Sequence, residues 1–137
     1  MTGETTLLRF PSRVEAIADA TAAAAEAARR SGLPDDAVFG IDMAVREAVT
    51  NAVVHGNRRD VTKAVELGLT RGGASFVVTV RDEGAGFDPS SVPDPTDPQN
   101  LLKGSGRGIL FMRTFMDEVT WERHPEGGTV VRMTKNH

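Results

Sequence analysis

The chain has 137 residues, a length that suits one domain and is enough to bury a real core. Hydrophobic residues make up 39%, charged residues 26% and aromatics 5%, a globular rather than a disordered composition. A net charge of -3 without a basic block argues against nucleic-acid or anionic-membrane partners, and the lack of cysteine excludes disulfides, Cys-ligated zinc, iron–sulfur clusters and thiol catalysis.

Residues 5–10 read as a short strand. Ser12 followed by Glu15 is a capping-box pattern that predicts a helix through the alanine-rich stretch to about Arg30, with Gly32 taking the left-handed cap. Asp19 and Glu26 interrupt that stretch, and no segment approaches the ~20 apolar residues of a membrane span. No secretory signal is visible either, so a soluble cytoplasmic protein is expected. Pro34, Asp35 and Asp36 start a second helix that is expected to run to His55, where Gly56-Asn57 stops it.

Thr62–Thr70 and Ala74–Arg81 read as two strands joined by a turn at Arg71-Gly72-Gly73. Residues 83–107 carry no periodic pattern but hold Pro89, Pro93, Pro95 and Pro98, a long loop of the functional or disordered kind. A helical pattern returns at Ile109. Val119–Arg123 and Thr129–Thr134 are expected strands around a turn at Glu126-Gly127-Gly128. The order β-α-α-β-β-loop-α-β-β, without repeats, predicts an α+β fold: a two-layer α/β sandwich whose mixed, mostly antiparallel sheet carries helices on one face.

On the second helix, Val38, Ile41, Val45, Ala48, Val49, Ala52 and Val53 form one broad apolar face. Asp42, Arg46 and Thr50 form a polar stripe. Glu47 and Asn51 lie four apart, on one side of the helix, with Met43, Ala44 and Val54 as angular neighbours. A carboxylate and an amide in apolar surroundings suit a partly enclosed site; a solvated pair is the alternative. His55, one turn further, suits the helix C-terminal dipole.

Two glycine segments follow. Asp82-Glu83-Gly84-Ala85-Gly86-Phe87 comes directly after the most hydrophobic strand, where glycines permit a tight turn or close approach to a ligand. Gly104-Ser105-Gly106-Arg107-Gly108 opens a helix and suits either a phosphate loop or a hinge. It matches neither the Rossmann nor the Walker A spacing.

Taken in this order, the segments resemble the Bergerat-fold (GHKL) ATPases. Residues 47–57 look like the N box, 82–87 like the first glycine box, 104–109 like the second, and Gly128-Thr129 like the late glycine–threonine element. Within that superfamily the chain is most similar to the anti-sigma-factor serine/threonine kinases of the RsbW/SpoIIAB type. Glu-Ala-Val-Thr-Asn-Ala-x-x-His-Gly-Asn at 47–57, Gly-x-x-Phe-Met at 108–112 and Phe-Met-Asp-Glu-Val at 115–119 carry the likeness.

The resemblance implies one ATP-binding domain over 1–137 with an ATP lid at about 88–107. It implies ATP/ADP and Mg²⁺ as cofactors, with Asn51 on the metal and Glu47 as general base. Asp82, helped by Thr129, would accept a hydrogen bond from the adenine amino group. Gly84 and Gly86 would let the chain pass the nucleotide. Lys103, Gly104, Ser105, Gly106, Arg107 and Gly108 would meet the phosphates. Some members carry an arginine where this chain has Gly104, and Lys103 and Arg107 flank that position. The implied function is phosphorylation of an anti-sigma-factor antagonist, together with sequestration of a sigma factor, by a homodimer. The alternative is a nucleotide-dependent binding module with little or no kinase activity.

Overall fold

The computed structural model describes residues 4–58, 60–84 and 112–136. The proposed lid, Gly86, residues 103–108 and the start of the helix expected at Ile109 lie outside them. Among the described residues, five strands form one open sheet: β1 (Glu4–Pro11), β2 (Ala64–Arg71), β3 (Ser75–Arg81), β4 (Glu118–Arg123) and β5 (Thr129–Asn136). Their order is β1-β2-β3-β5-β4, and all four pairings are antiparallel. The predicted sheet was mostly antiparallel; the two hairpins, β2–β3 and β4–β5, are both present. The fold is α+β, as expected.

Helices α1 (Glu15–Arg30) and α2 (Asp35–Thr50) cover one face of the sheet. The seven apolar residues predicted for the core on the second helix are all buried, Ala52 and Val53 of them just past the end of α2, and Ala44 joins them. They meet Val65, Leu67, Phe76, Val78, Val80 and Met133 of the sheet in one cluster. On α1 the buried residues are small (Ala16, Ala20, Thr21, Ala24, Ala25 and Ala28), which lets the two helices approach closely. Gly32 follows α1 with φ +82, the left-handed conformation expected of it.

The capping box does not form. Helix α1 starts at Glu15 after Val14, with no side-chain cap. The Ser12 N–H instead donates to Lys63 O at 3.0 Å, so its backbone belongs to the end of the β1–β2 pairing. The Ser12 side chain is buried there, and its hydroxyl has no partner among the described residues.

The second helix also departs from expectation at its end. It does not stay α-helical to His55 but widens into a π-helical turn over Asn51–Gly56. The Asn57 N–H closes this turn on Ala52 O, five residues back, at 2.8 Å. His55 is exposed there.

The sheet face away from the helices carries cross-strand rows set by the register. Arg9, Glu66 and Arg81 stand side by side on β1, β2 and β3. Arg9 bonds Glu66 at 3.2 Å, and Arg81 lies 3.9 Å from the same carboxylate. Arg81 also donates to Gly127 O, at 3.2 Å, in the turn before β5.

Candidate functional site

The π-helical turn after α2, the end of β3 and the start of β5 converge on Asp82. Asp82 directly follows β3, the central strand, at the strand's end, where it is 8% exposed. Its Oδ1 accepts the N–H groups of Gly84 at 3.0 Å and Thr129 at 3.2 Å. The Asp82 N–H in turn donates to Thr129 O at 3.0 Å. Among the described residues all hydrogen bonds to the carboxylate reach Oδ1, while Oδ2 faces Gly56.

Glycines make this convergence possible. A Cβ on Gly56 would strike the Asp82 carboxylate, one on Gly84 would strike Gly56 O, and one on Gly128 would strike Asp82 O. Gly84 was expected to let the chain pass close to a nucleotide. In the fold its lack of a side chain admits the end of the π-helical turn.

Burial pushes the Asp82 carboxyl above the ordinary 3.8, against the downward pull of the Gly84 and Thr129 N–H groups. A raised folded-state pKa contributes stability below the unfolded value, and that stability is lost as pH rises through the folded value. At neutral pH the ionised Asp82 therefore costs the fold stability. Asp82→Asn, which keeps an oxygen for the two N–H groups, should be more stable than wild type at pH 7 in urea denaturation. Its advantage should shrink as pH falls toward 3.8. An advantage that grows on acidification would contradict this account of the site.

Glu47 and Asn51 sit one helical turn apart across the junction of α2 with the π-helical turn. The Asn51 N–H bonds the carbonyls of Glu47 and Ala48. Both side chains are half-buried and make no hydrogen bond or ion pair among the described residues. The neighbouring polar stripe is engaged internally: Arg46 pairs with Asp42 at 3.3 Å, and the Thr50 hydroxyl donates to Arg46 O at 2.6 Å. Thr129 is half-buried, with both backbone groups on Asp82.

Asn57 and Glu83, which the sequence reading did not single out, brace the site. Asn57 is 1% exposed. Its Nδ2 donates to Ala64 O at 3.0 Å, and its Oδ1 accepts the Glu83 N–H at 2.7 Å. The Glu83 carboxylate accepts the Ala64 N–H at 2.6 Å and pairs with Arg9 at 2.9 Å. The Ala64 N–H, followed by Arg9, holds its pKa below the usual glutamate value. The only sequence signal was position: Asn57 closes the Gly56-Asn57 helix stop, and Glu83 lies between Asp82 and Gly84.

No three His, Cys, Asp or Glu side chains among the described residues come together as a metal site. The free Asn51 side chain offers a hard cation one neutral oxygen, a donor set that fits Mg²⁺ carried on a phosphate and completed by water. No described helix is long and apolar enough to cross a membrane.

The sequence profile of the histidine kinase-like ATPase domain matches residues 10–135. The anti-sigma F factor of Bacillus velezensis is 38% identical over 105 residues, 74% of this chain and 70% of that protein. The anti-sigma F factor of Bacillus subtilis is 37% identical over the same shares. Among solved structures, a nucleotide-free catalytic domain of the histidine kinase ThkA matches with a TM-score of 0.62 at 14% identity, over 96% of this chain and 95% of that one. The mycobacterial sensor histidine kinase MprB matches with a TM-score of 0.58 at 13% identity, over 96% and 97%. At those identities the likeness speaks for the fold alone. The chain belongs to the histidine kinase-like ATPase domain family, and within it to the group of the anti-sigma F factors.

Proposed function

We propose that the protein is an ATP-dependent serine/threonine kinase and anti-sigma factor. In this reading it phosphorylates an anti-sigma-factor antagonist and, in alternation, sequesters a sigma factor in the cytoplasm, acting as a homodimer. The observation that carries the kinase reading is Glu47, a half-buried carboxylate without a partner among the described residues, one turn before Asn51. A protein that only binds needs no base at that place.

Asp82 supports the nucleotide half of the proposal. It is a buried carboxylate with Oδ1 anchored and Oδ2 without a hydrogen bond among the described residues, and its charge costs stability. Oδ2 would accept the amino group of adenine. Mg²⁺, when bound, would neutralise charge on the phosphates, and Asn51 would hold it. Glu47 would orient the substrate hydroxyl and take its proton as the new O–P bond forms and the γ-phosphorus separates from ADP. Residues 103–108, outside the described residues, would supply N–H groups and the charges of Lys103 and Arg107 to the phosphates.

The second reading, a nucleotide-dependent binding module, draws on Gly104, which stands where some members of the family carry an arginine. Incubation with labelled ATP and each candidate antagonist, followed by phosphosite mapping, separates the two. The kinase reading requires label on a serine or threonine of one antagonist. Nucleotide-dependent complex formation without label would favour the binding module.

A further inference from the structure

We infer that Asn57, acting with Glu83, is a positioning residue that fixes Asp82 in the one orientation that distinguishes an adenine-type amino group from a carbonyl at the same place on the base. The inference rests on the proposed role of Asp82 in base recognition.

Asp82 is the last group before the chain leaves the sheet, and strand pairing alone does not hold it. Its Oδ1 is aimed by two N–H groups, those of Gly84 and Thr129. The Thr129 N–H belongs to β5 and is fixed by the sheet. The Gly84 N–H belongs to the segment after β3, and that segment needs its own anchor. Asn57 supplies one by accepting the Glu83 N–H, in the peptide next to that of Gly84, at 2.7 Å. Glu83 supplies the second by reaching back to the Ala64 N–H and across to Arg9. Asn57 and Glu83 share one clamp point, because Asn57 Nδ2 holds the carbonyl of the same Ala64. Four elements thus meet on residues 82–84: the helix exit, β1, β2 and the turn before β5.

The consequence is chemical. A carboxylate oxygen accepts a hydrogen bond from the amino group of adenine and repels the carbonyl that guanine carries there. That discrimination holds only while the oxygen cannot swing away. Loosening the clamp should therefore weaken ATP more than GTP, whereas a merely structural role would lower thermal stability and leave their ratio unchanged.

The test is calorimetric titration of the purified chain with ATP and with GTP, alongside thermal melts. Wild type should prefer ATP. Asn57→Ala should reduce the ATP/GTP preference by about tenfold, the worth of one well-made hydrogen bond. Asn57→Asp, which keeps an acceptor for the Glu83 N–H, should retain more of the preference than Asn57→Ala. Glu83→Ala removes the anchors to Ala64 and Arg9 without touching the helix exit. It should shift the ratio in the same direction as Asn57→Ala, and it decides the matter if Asn57→Ala does not fold. Unchanged ratios in the clamp variants, with the preference lost in Asp82→Asn, would overturn the inference. An unchanged ratio in Asp82→Asn would instead overturn the base-recognition reading, and the inference with it.

Discussion

Glu47→Gln should leave ATP affinity nearly unchanged and cut phosphorylation of the antagonist by about 10²–10⁴, the usual contribution of a general base. The change is isosteric, and Glu47 makes no hydrogen bond or ion pair among the described residues, so the fold should not register it. Its side chain stands one turn from Asn51, on the side where phosphates held through Asn51 would lie. The proposed adenine contact, Asp82, lies on a different element, at the end of β3, and should be untouched. A single-turnover assay with saturating ATP isolates the chemical step. An unchanged rate would make Glu47 a solvated helix residue. No phosphorylation even in wild type would leave the binding-module reading standing.

Gly128→Ala should destabilise the protein by about 3–5 kcal/mol and weaken nucleotide binding. Left-handed strain costs ~1–2 kcal/mol, and overpacking adds ~2–3 kcal/mol, in the upper part of its usual range because the obstacle is backbone. Gly128 has φ +88, and its missing Cβ is what lets the β5 start lie against Asp82 and Glu83. Gly127→Ala is the control. It shares the positive φ, at +101, but has open space where the Cβ would stand. It should cost only the ~1–2 kcal/mol of backbone strain. Urea denaturation of both variants separates conformational strain from collision. Equal costs would show that the contact with Asp82 does not control the packing of this turn.

Regular periodicity made most of the architecture legible. The apolar face of α2 was readable because burial on a helix repeats every 3.6 residues, and each of its seven predicted members is in the core. The two hairpins were readable from their glycine turns, and Gly127 and Gly128 do adopt positive φ. Long-range pairing was the harder part. Ser12 looked like a helix cap because its spacing to Glu15 is local, yet Lys63 claims its backbone from 51 positions away. The π-helical turn at Asn51–Gly56 adds no residue pattern of its own; it arises where Gly56 must reach Asp82 and Asn57 must reach Ala64 and Glu83. The same reason hid the clamp. Asn57 reads as an ordinary residue after a helix, and only the folded chain shows both ends of its amide engaged. Glu47 and Asn51 stand out as candidates by contrast, because a carboxylate and an amide fall among apolar neighbours, and Asp82 because it opens a glycine segment directly after the most hydrophobic strand.

The most direct test of the central proposal, a nucleotide site built on Asn51 and Asp82, is calorimetric titration of ATP into wild type and Asn51→Ala, each with and without Mg²⁺. The expected result is saturable binding by wild type that Mg²⁺ strengthens, and a loss of that strengthening, rather than of all binding, in Asn51→Ala. Absence of ATP binding by wild type in the presence of Mg²⁺ would contradict the proposal outright.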